Sequence, residues 1–200
     1  MLFRSQKSTV QLLDEALKDL VRFFADAGDL NEAIDYFNKL GKKELIRDVI
    51  KKLASTYMEQ GKFDQAITTY KRLIAEDPQG PYAPEYQNEI IGAWTKIGNK
   101  QETVNAISDL LKNYGKNSAW ARTNAANTDA TKNAQDYIDK NLRTVALNYL
   151  QEAKKIKTGP SATQAYELAE QSFRVYLDEF PNSTYIYDMR FAFAELLYTV

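Results

Sequence analysis

Leu53 to Pro78 reads LASTYMEQGKFDQAITTYKRLIAEDP, with apolar residues at three- and four-residue steps on both sides of Gly61. Leu53, Ala54 and Tyr57 precede the glycine; Phe63, Ala66, Ile67, Tyr70 and Leu73 follow it. That spacing predicts two amphipathic helices meeting at a turn at Gly61, with Pro78 closing the second. One such hairpin cannot hide its own apolar face, so it needs neighbours of the same kind. They are present. Aligning Gly28 with Gly61 brings back Leu20, Val21, Phe24, Leu30, Ala33, Ile34, Phe37 and Leu40. Aligning Gly98 brings back Ile90, Ile91, Trp94, Val104, Ile107 and Leu110, after a turn cluster from Asp77 to Tyr82 where insertion is cheap. Small Ala33 and Ala66 let paired helices approach closely, while Phe24, Phe37, Tyr57 and Tyr70 fill the wedge between neighbours.

The second half is less regular. Residues from Ala119 to Ala130 are rich in Ala, Asn and Thr and read as a loop entering a helix. From Thr131 to Lys157 the residues Ala134, Tyr137, Ile138, Leu142, Val145, Ala146, Tyr149, Leu150 and Ala153 predict one long helix, closed by Thr158-Gly159-Pro160-Ser161. Ser161 or Thr163 is the expected cap of the next helix, over Ala162 to Glu179. A last helix is expected from Thr184 to near Val200.

The spacing resembles the tetratricopeptide repeat, a helix-turn-helix unit of 34 residues. The second unit matches best, with Ala54, Tyr57, Gly61, Ala66, Tyr70 and Pro78 at the family's positions. The first has Gly41 near its exit instead of the terminal Pro. The third is degenerate, with Thr103 for Ala and Gly115 for Pro. Ala169, Phe173, Tyr176 and Pro181 repeat the second-helix pattern in a fourth unit. The stretch Tyr176 to Tyr185, followed by Arg190 to Tyr198, further resembles repeat proteins of bacterial cell envelopes, of outer-membrane-assembly, Tol-Pal-associated and gliding-motility types. The resemblance implies an all-α, right-handed α-solenoid of antiparallel helix hairpins, about nine helices in all. Three hairpins occupy residues 1–118. An elongated fourth unit, with the unpaired first helix of a fifth, occupies 119–200. In that register Val200 stands just before a turn glycine, so the chain is expected to be a piece of a longer array.

Composition excludes several chemistries. The 200 residues hold Cys 0 and His 0, which removes disulfides, thiolate nucleophiles, Cys/His zinc sites and imidazole bases. Lys+Arg 26 against Asp+Glu 27 gives a formal charge of -1 and no global field for nucleic acid. No phosphate loop, dinucleotide motif, calcium loop or nucleophile elbow occurs. The carboxylate pairs Glu15/Asp19 and Glu85/Glu89 read as solvated helix surface. Lys43, Arg47 and Lys51 form a basic row, but Glu44, Asp48 and Glu59 interleave with it. No stretch has the run of apolar residues that a membrane span needs.

What remains is a surface for holding a partner. The resemblance places the groove on first-helix positions, which here include Lys18 and Arg22, then Lys51, Lys52, Ser55 and Met58, then Asn88 and Thr95. A clamp for a peptide's terminal carboxylate is not expected, because Glu85 and Glu89 stand where two bases are required. The groove suits an extended or helical peptide instead. Tyr82, Tyr86, Tyr114, Tyr185 and Tyr187 lie outside wedge register and are candidate contact residues. The apolar last helix, with Phe191, Phe193, Leu197 and Tyr198, is a candidate docking end. The reading is a non-catalytic protein-interaction scaffold without cofactor, metal or small-molecule substrate. A periplasmic or outer-membrane-associated envelope assembly is favoured, with a cytoplasmic adaptor binding peptide or nucleic acid as the alternative.

Overall fold

The computed structural model describes residue 15 and residues 19–26, 30–39, 43–156 and 159–199. Among them there is no strand, and ten helical segments follow one another. They are α1 (helical at 19–26), α2 (Leu30–Lys39), α3 (Lys43–Glu59), α4 (Phe63–Glu76), α5 (Ala83–Ile97), α6 (Lys100–Tyr114), α7 (Ala119–Thr123), α8 (Thr128–Ile156), α9 (Pro160–Glu179) and α10 (Ile186–Thr199). No helix of the described residues is long and apolar enough to cross a membrane. The chain divides into two compact units, residues 1–106 and 107–200.

In the first unit each helix packs on the next: α2 on α3, α3 on α4, α4 on α5. This sequential order is that of a helical solenoid, in which every element finds its apolar partner among its chain neighbours. The turns are built alike. Gly61 and Gly98 have φ of 72° and 80°, a left-handed conformation that side chains with a Cβ resist. Lys62 N donates to Tyr57 O at 2.8 Å and Gly61 N to Met58 O at 3.2 Å. Asn99 N and Gly98 N repeat the pattern onto Trp94 O and Thr95 O, both at 3.1 Å. These paired bonds satisfy carbonyls that a helix end otherwise leaves open.

The core matches the expected wedge. Ala33, Ala54 and Ala66 are fully buried, and Phe24, Tyr57 and Tyr70 are buried beside them. Gly28 and the Phe37 side chain lie outside the described residues. Tyr70 stacks on Tyr86 with ring centroids 6.0 Å apart, tying α4 to α5. Lys62 Nζ donates to Ala25 O at 2.8 Å, so a residue at the start of α4 satisfies a carbonyl near the end of α1.

The second unit is centred on the α8/α9 hairpin, with α10 resting on both. Ala130, Ala134, Ile138, Leu142, Ala146, Leu150 and Ala153 form the buried stripe of α8. Ala162, Ala165, Ala169, Phe173 and Tyr176 answer from α9. The expected loop over Ala119–Ala130 is corrected by a short helix, α7. Ser118 Oγ accepts from Ala121 N at 3.0 Å to start it, and buried Trp120 pins it edge-on against Tyr114. Asn127 Oδ1 accepts from Ala130 N at 3.1 Å, so α8 begins at Thr128, three residues before the expected start. The α9 cap is also different. The helix starts at Pro160 behind Gly159, whose φ is 98°, and Ser161 and Thr163 stand inside it. The last helix starts at Ile186, two residues after the expected Thr184; ahead of it the Ser183 hydroxyl accepts from Tyr185 N at 3.2 Å and donates to Asp139 Oδ1 at 3.0 Å. Tyr176 Oη donates to the same oxygen at 2.8 Å, and Arg143 pairs with the other oxygen at 3.4 Å. One carboxylate on α8 thus gathers α9 and the connection into α10.

Two outcomes follow from this packing. Ala66→Leu adds methyl groups where the existing side chain is fully buried, and is expected to destabilise the fold by about 1–3 kcal/mol in urea unfolding. Burial, reinforced by nearby Asp and Glu charges, pushes Tyr70, Tyr114 and Tyr176 up to about 12 from an ordinary 10.0. Between those values the unfolded chain holds fewer protons than the native one. Stability is therefore full below pH 10 and falls as pH rises towards 12, by up to about 2–3 kcal/mol per tyrosine. Chemical unfolding across pH 8 to 12, about one pH unit per step, measures that slope.

Candidate interaction surface

The sequence-selected groove residues fall into one cluster and several separate positions. Lys51, Ser55 and Met58 lie on one face of α3, half-buried, opposite α5. Lys51 Nζ reaches Glu85 at 2.9 Å across the two helices. Its ammonium also lies 5.3 Å from the Tyr82 ring centroid and 5.9 Å from that of Tyr86. Burial works against the charged form of Lys51, but the hydrogen bond and charge of Glu85 prevail and its pKa rises. Ser55 Oγ donates to Lys51 O at 3.1 Å and stands 3.3 Å from Tyr70 Oη. A Cβ added at Gly92 on α5 would meet only the Met58 methyl, at 3.9 Å. Half-buried Asn88 and Gly92 continue this face on α5. Met58 and Gly92 form a shallow apolar step next to the polar Lys51–Glu85 bridge.

Other selected residues do not join that cluster. Lys18 lies outside the described residues. Arg22 is exposed on α1 and pairs with Asp19 at 3.8 Å. Lys52 is half-buried and its carbonyl accepts from Thr56 Oγ1 at 2.9 Å. Thr95 is exposed, its hydroxyl spent on Ile91 O at 2.8 Å. The basic row is neutralised locally: Arg47 stands 3.8 Å from Asp48 and 5.4 Å from the Tyr82 ring centroid.

The tyrosine candidates divide by burial. Tyr86 and Tyr114 are core residues, which corrects the expectation that they meet a partner; each stacks or packs edge-on within its own unit. Tyr82, Tyr185 and Tyr187 are exposed. Arg143 covers the Tyr185 ring with its guanidinium carbon 3.6 Å from the centroid. At the last helix Phe191, Leu197 and Tyr198 are exposed as expected. Phe193 is not part of that exposed end. It is half-buried and stacks on Phe173 of α9, with centroids 5.6 Å apart, because it falls on the side of α10 that packs. Sequence reading also missed a cleft of about 530 Å³ between α2, α3 and α4, lined by Leu30, Ile34, Tyr57, Asp64, Thr68 and Arg72. Its residues carry no motif, only ordinary helix-surface spacing.

Residues 25–88 match the family model described as "Tetratricopeptide repeat". The matched segment is similar to tetratricopeptide repeats, and the chain resembles an envelope assembly protein. It is 27% identical over 143 residues, 72% of its length, to "Outer membrane protein assembly factor BamD" from two strains of Xylella fastidiosa. The chain spans about half the length of these curated relatives, 45% of each. A shorter match, 36% identical over 58 residues, links 27% of this chain with 34% of "Photosystem I assembly protein Ycf3" from Prochlorococcus marinus. A solved tetratricopeptide repeat protein from Parabacteroides merdae is 17% identical, covers 92% of this chain and 72% of its own, and has a TM-score of 0.38.

The Lys51–Glu85 bridge is partly exposed, so its effect is modest. Lys51→Glu is expected to destabilise the fold by about 0.5–1 kcal/mol, and the double variant with Glu85→Lys to regain most of that loss. Thermal unfolding of the four proteins in a double-mutant cycle checks the coupling.

Proposed function

We propose that this chain is a non-catalytic interaction scaffold whose α3/α5 face holds a segment of a protein partner, within a bacterial envelope assembly. The match over 143 residues to an outer membrane assembly factor carries the reading. The surface chemistry supports it. The face carries polar Ser55 and Asn88 beside a thioether step at Met58 and Gly92. A mostly neutralised charge pair stands beside them. Such a face holds an extended or helical segment by polar bonds and modest apolar contact. It does not favour a free carboxylate, since Lys51 is already engaged by Glu85 and Glu89 lies on the same helix. Lys52 and Thr95, on the same two helices, are secondary contact positions, and Lys18 and Arg22 rest on the sequence resemblance alone.

A second reading, an adaptor for an assembly outside the envelope, draws on the match to a photosystem assembly protein. The two readings share the groove and differ in the partner's compartment.

A photo-crosslinking amino acid at Ser55 is expected to capture a protein from a bacterial envelope fraction, whereas one at exposed Lys132 on α8 is not. Gly92→Trp fills the step beside Met58 and is expected to lower that capture by about tenfold or more, with helix content unchanged. Capture by Ser55 from the cytoplasmic fraction alone favours the adaptor. Equal labelling from both positions counts against the groove.

A further inference from the structure

Helix α10 turns two different faces outward and inward. Met189 and Leu196 are buried against α8 and α9. On the opposite side Tyr187, Phe191, Ala194 and Tyr198 follow at steps of four, three and four residues, the seam of a two-heptad helix pair. The three rings are 77%, 67% and 96% exposed, and Ala194 is exposed between them. Scattered single apolar residues are ordinary on a surface, but three exposed rings in one row down a helix are not. At about 150–250 Å² per ring, the stripe offers on the order of 500 Å² of apolar surface.

The charges at the rim select an occupant. Arg190 and Glu195 flank the seam on opposite sides, five residues apart. When two identical helices lie parallel about a two-fold axis, these are the positions that meet across the pair, each arginine facing its partner's glutamate. An antiparallel pairing would instead bring arginine beside arginine and glutamate beside glutamate. The small Ala194 leaves room between the rings of Phe191 and Tyr198. Glu195 also receives Lys154 of α8 at 2.7 Å, which holds its carboxylate at the rim.

We propose that the exposed stripe of α10 pairs with the same stripe of a second copy of this chain, the two helices parallel about a two-fold axis. The contact belongs to the second unit and does not depend on what the α3/α5 face binds. A patch of this size lies below the roughly 800 Å² per partner of a standard interface, so the dimer is weak and concentration-dependent.

Sedimentation velocity over about 5–500 µM tests it, the mass rising from one chain towards two. Phe191→Glu changes an exposed side chain, so folding is retained, and it is expected to weaken the dimer at least tenfold. Arg190→Glu weakens it several-fold, and adding Glu195→Lys recovers part of that loss. Because the chain has no cysteine, single Tyr187→Cys and Ala194→Cys variants report direction. A parallel pair gives disulfide dimers from both, whereas an antiparallel pair gives them from one at most. A monomer at every concentration overturns the proposal and assigns the stripe to a different partner. A dimer indifferent to Phe191→Glu, or one in which only a single cysteine position crosslinks, overturns it as well.

Discussion

The structure depends on close approach between consecutive helices. Ala33, Ala54 and Ala66 are fully buried, and their lack of bulk lets neighbouring backbones come together. The tyrosine and phenylalanine rings then fill the gaps that diverging helices leave. Neither residue type works alone. Alanines without rings would leave voids, and rings without alanines would hold the helices apart. Because each helix uses its chain neighbour for this purpose, the first unit grows by addition rather than around a single centre.

The second unit keeps the same alanine stripe but adds a polar lock. Asp139 of α8 accepts from Tyr176 of α9 and from Ser183 just before α10, and pairs with Arg143. A half-buried carboxylate with three partners costs little in desolvation compared with one left alone. The geometry gives direction to the chain where it leaves α9, which apolar contact by itself does not. Arg143 extends the lock by lying flat on Tyr185. The orientation of α10, and with it the outward aromatic stripe, follows from these contacts and from Met189 and Leu196 beneath.

The candidate groove is assembled under different rules. Its members are half-buried, so each is partly committed to the fold. Lys51 supports α5 through Glu85, and Ser55 bonds its own helix while touching Tyr70. What is left for a partner is the Met58 and Gly92 step and the exposed edge of Tyr82. A mid-helix glycine without positive φ is locally unfavourable, by about 1 kcal/mol relative to alanine. At Gly92 the folded chain gains close access to the α5 backbone beside Met58.

Periodicity alone was enough to establish the helix hairpins, the turns at Gly61 and Gly98, and the wedge of Phe24, Tyr57 and Tyr70. The reason is local: a repeat of 3.6 residues and a glycine at a left-handed turn are written in neighbouring positions. Caps were less legible, since Ser118, Asn127 and Gly159 act through single hydrogen bonds or one dihedral angle that several nearby residues were equally able to supply. The sequence also proposed which residues line the groove, but only tertiary contact decided which of them stand together. Lys51, Ser55 and Met58 meet α5, whereas Arg22 and Thr95 bond within their own helices. Tyr86, Tyr114 and Phe193 were indistinguishable from exposed rings until residues of other helices covered them. Spacing tells which side of a helix is apolar; whether another helix lies against that side depends on distances no single segment contains.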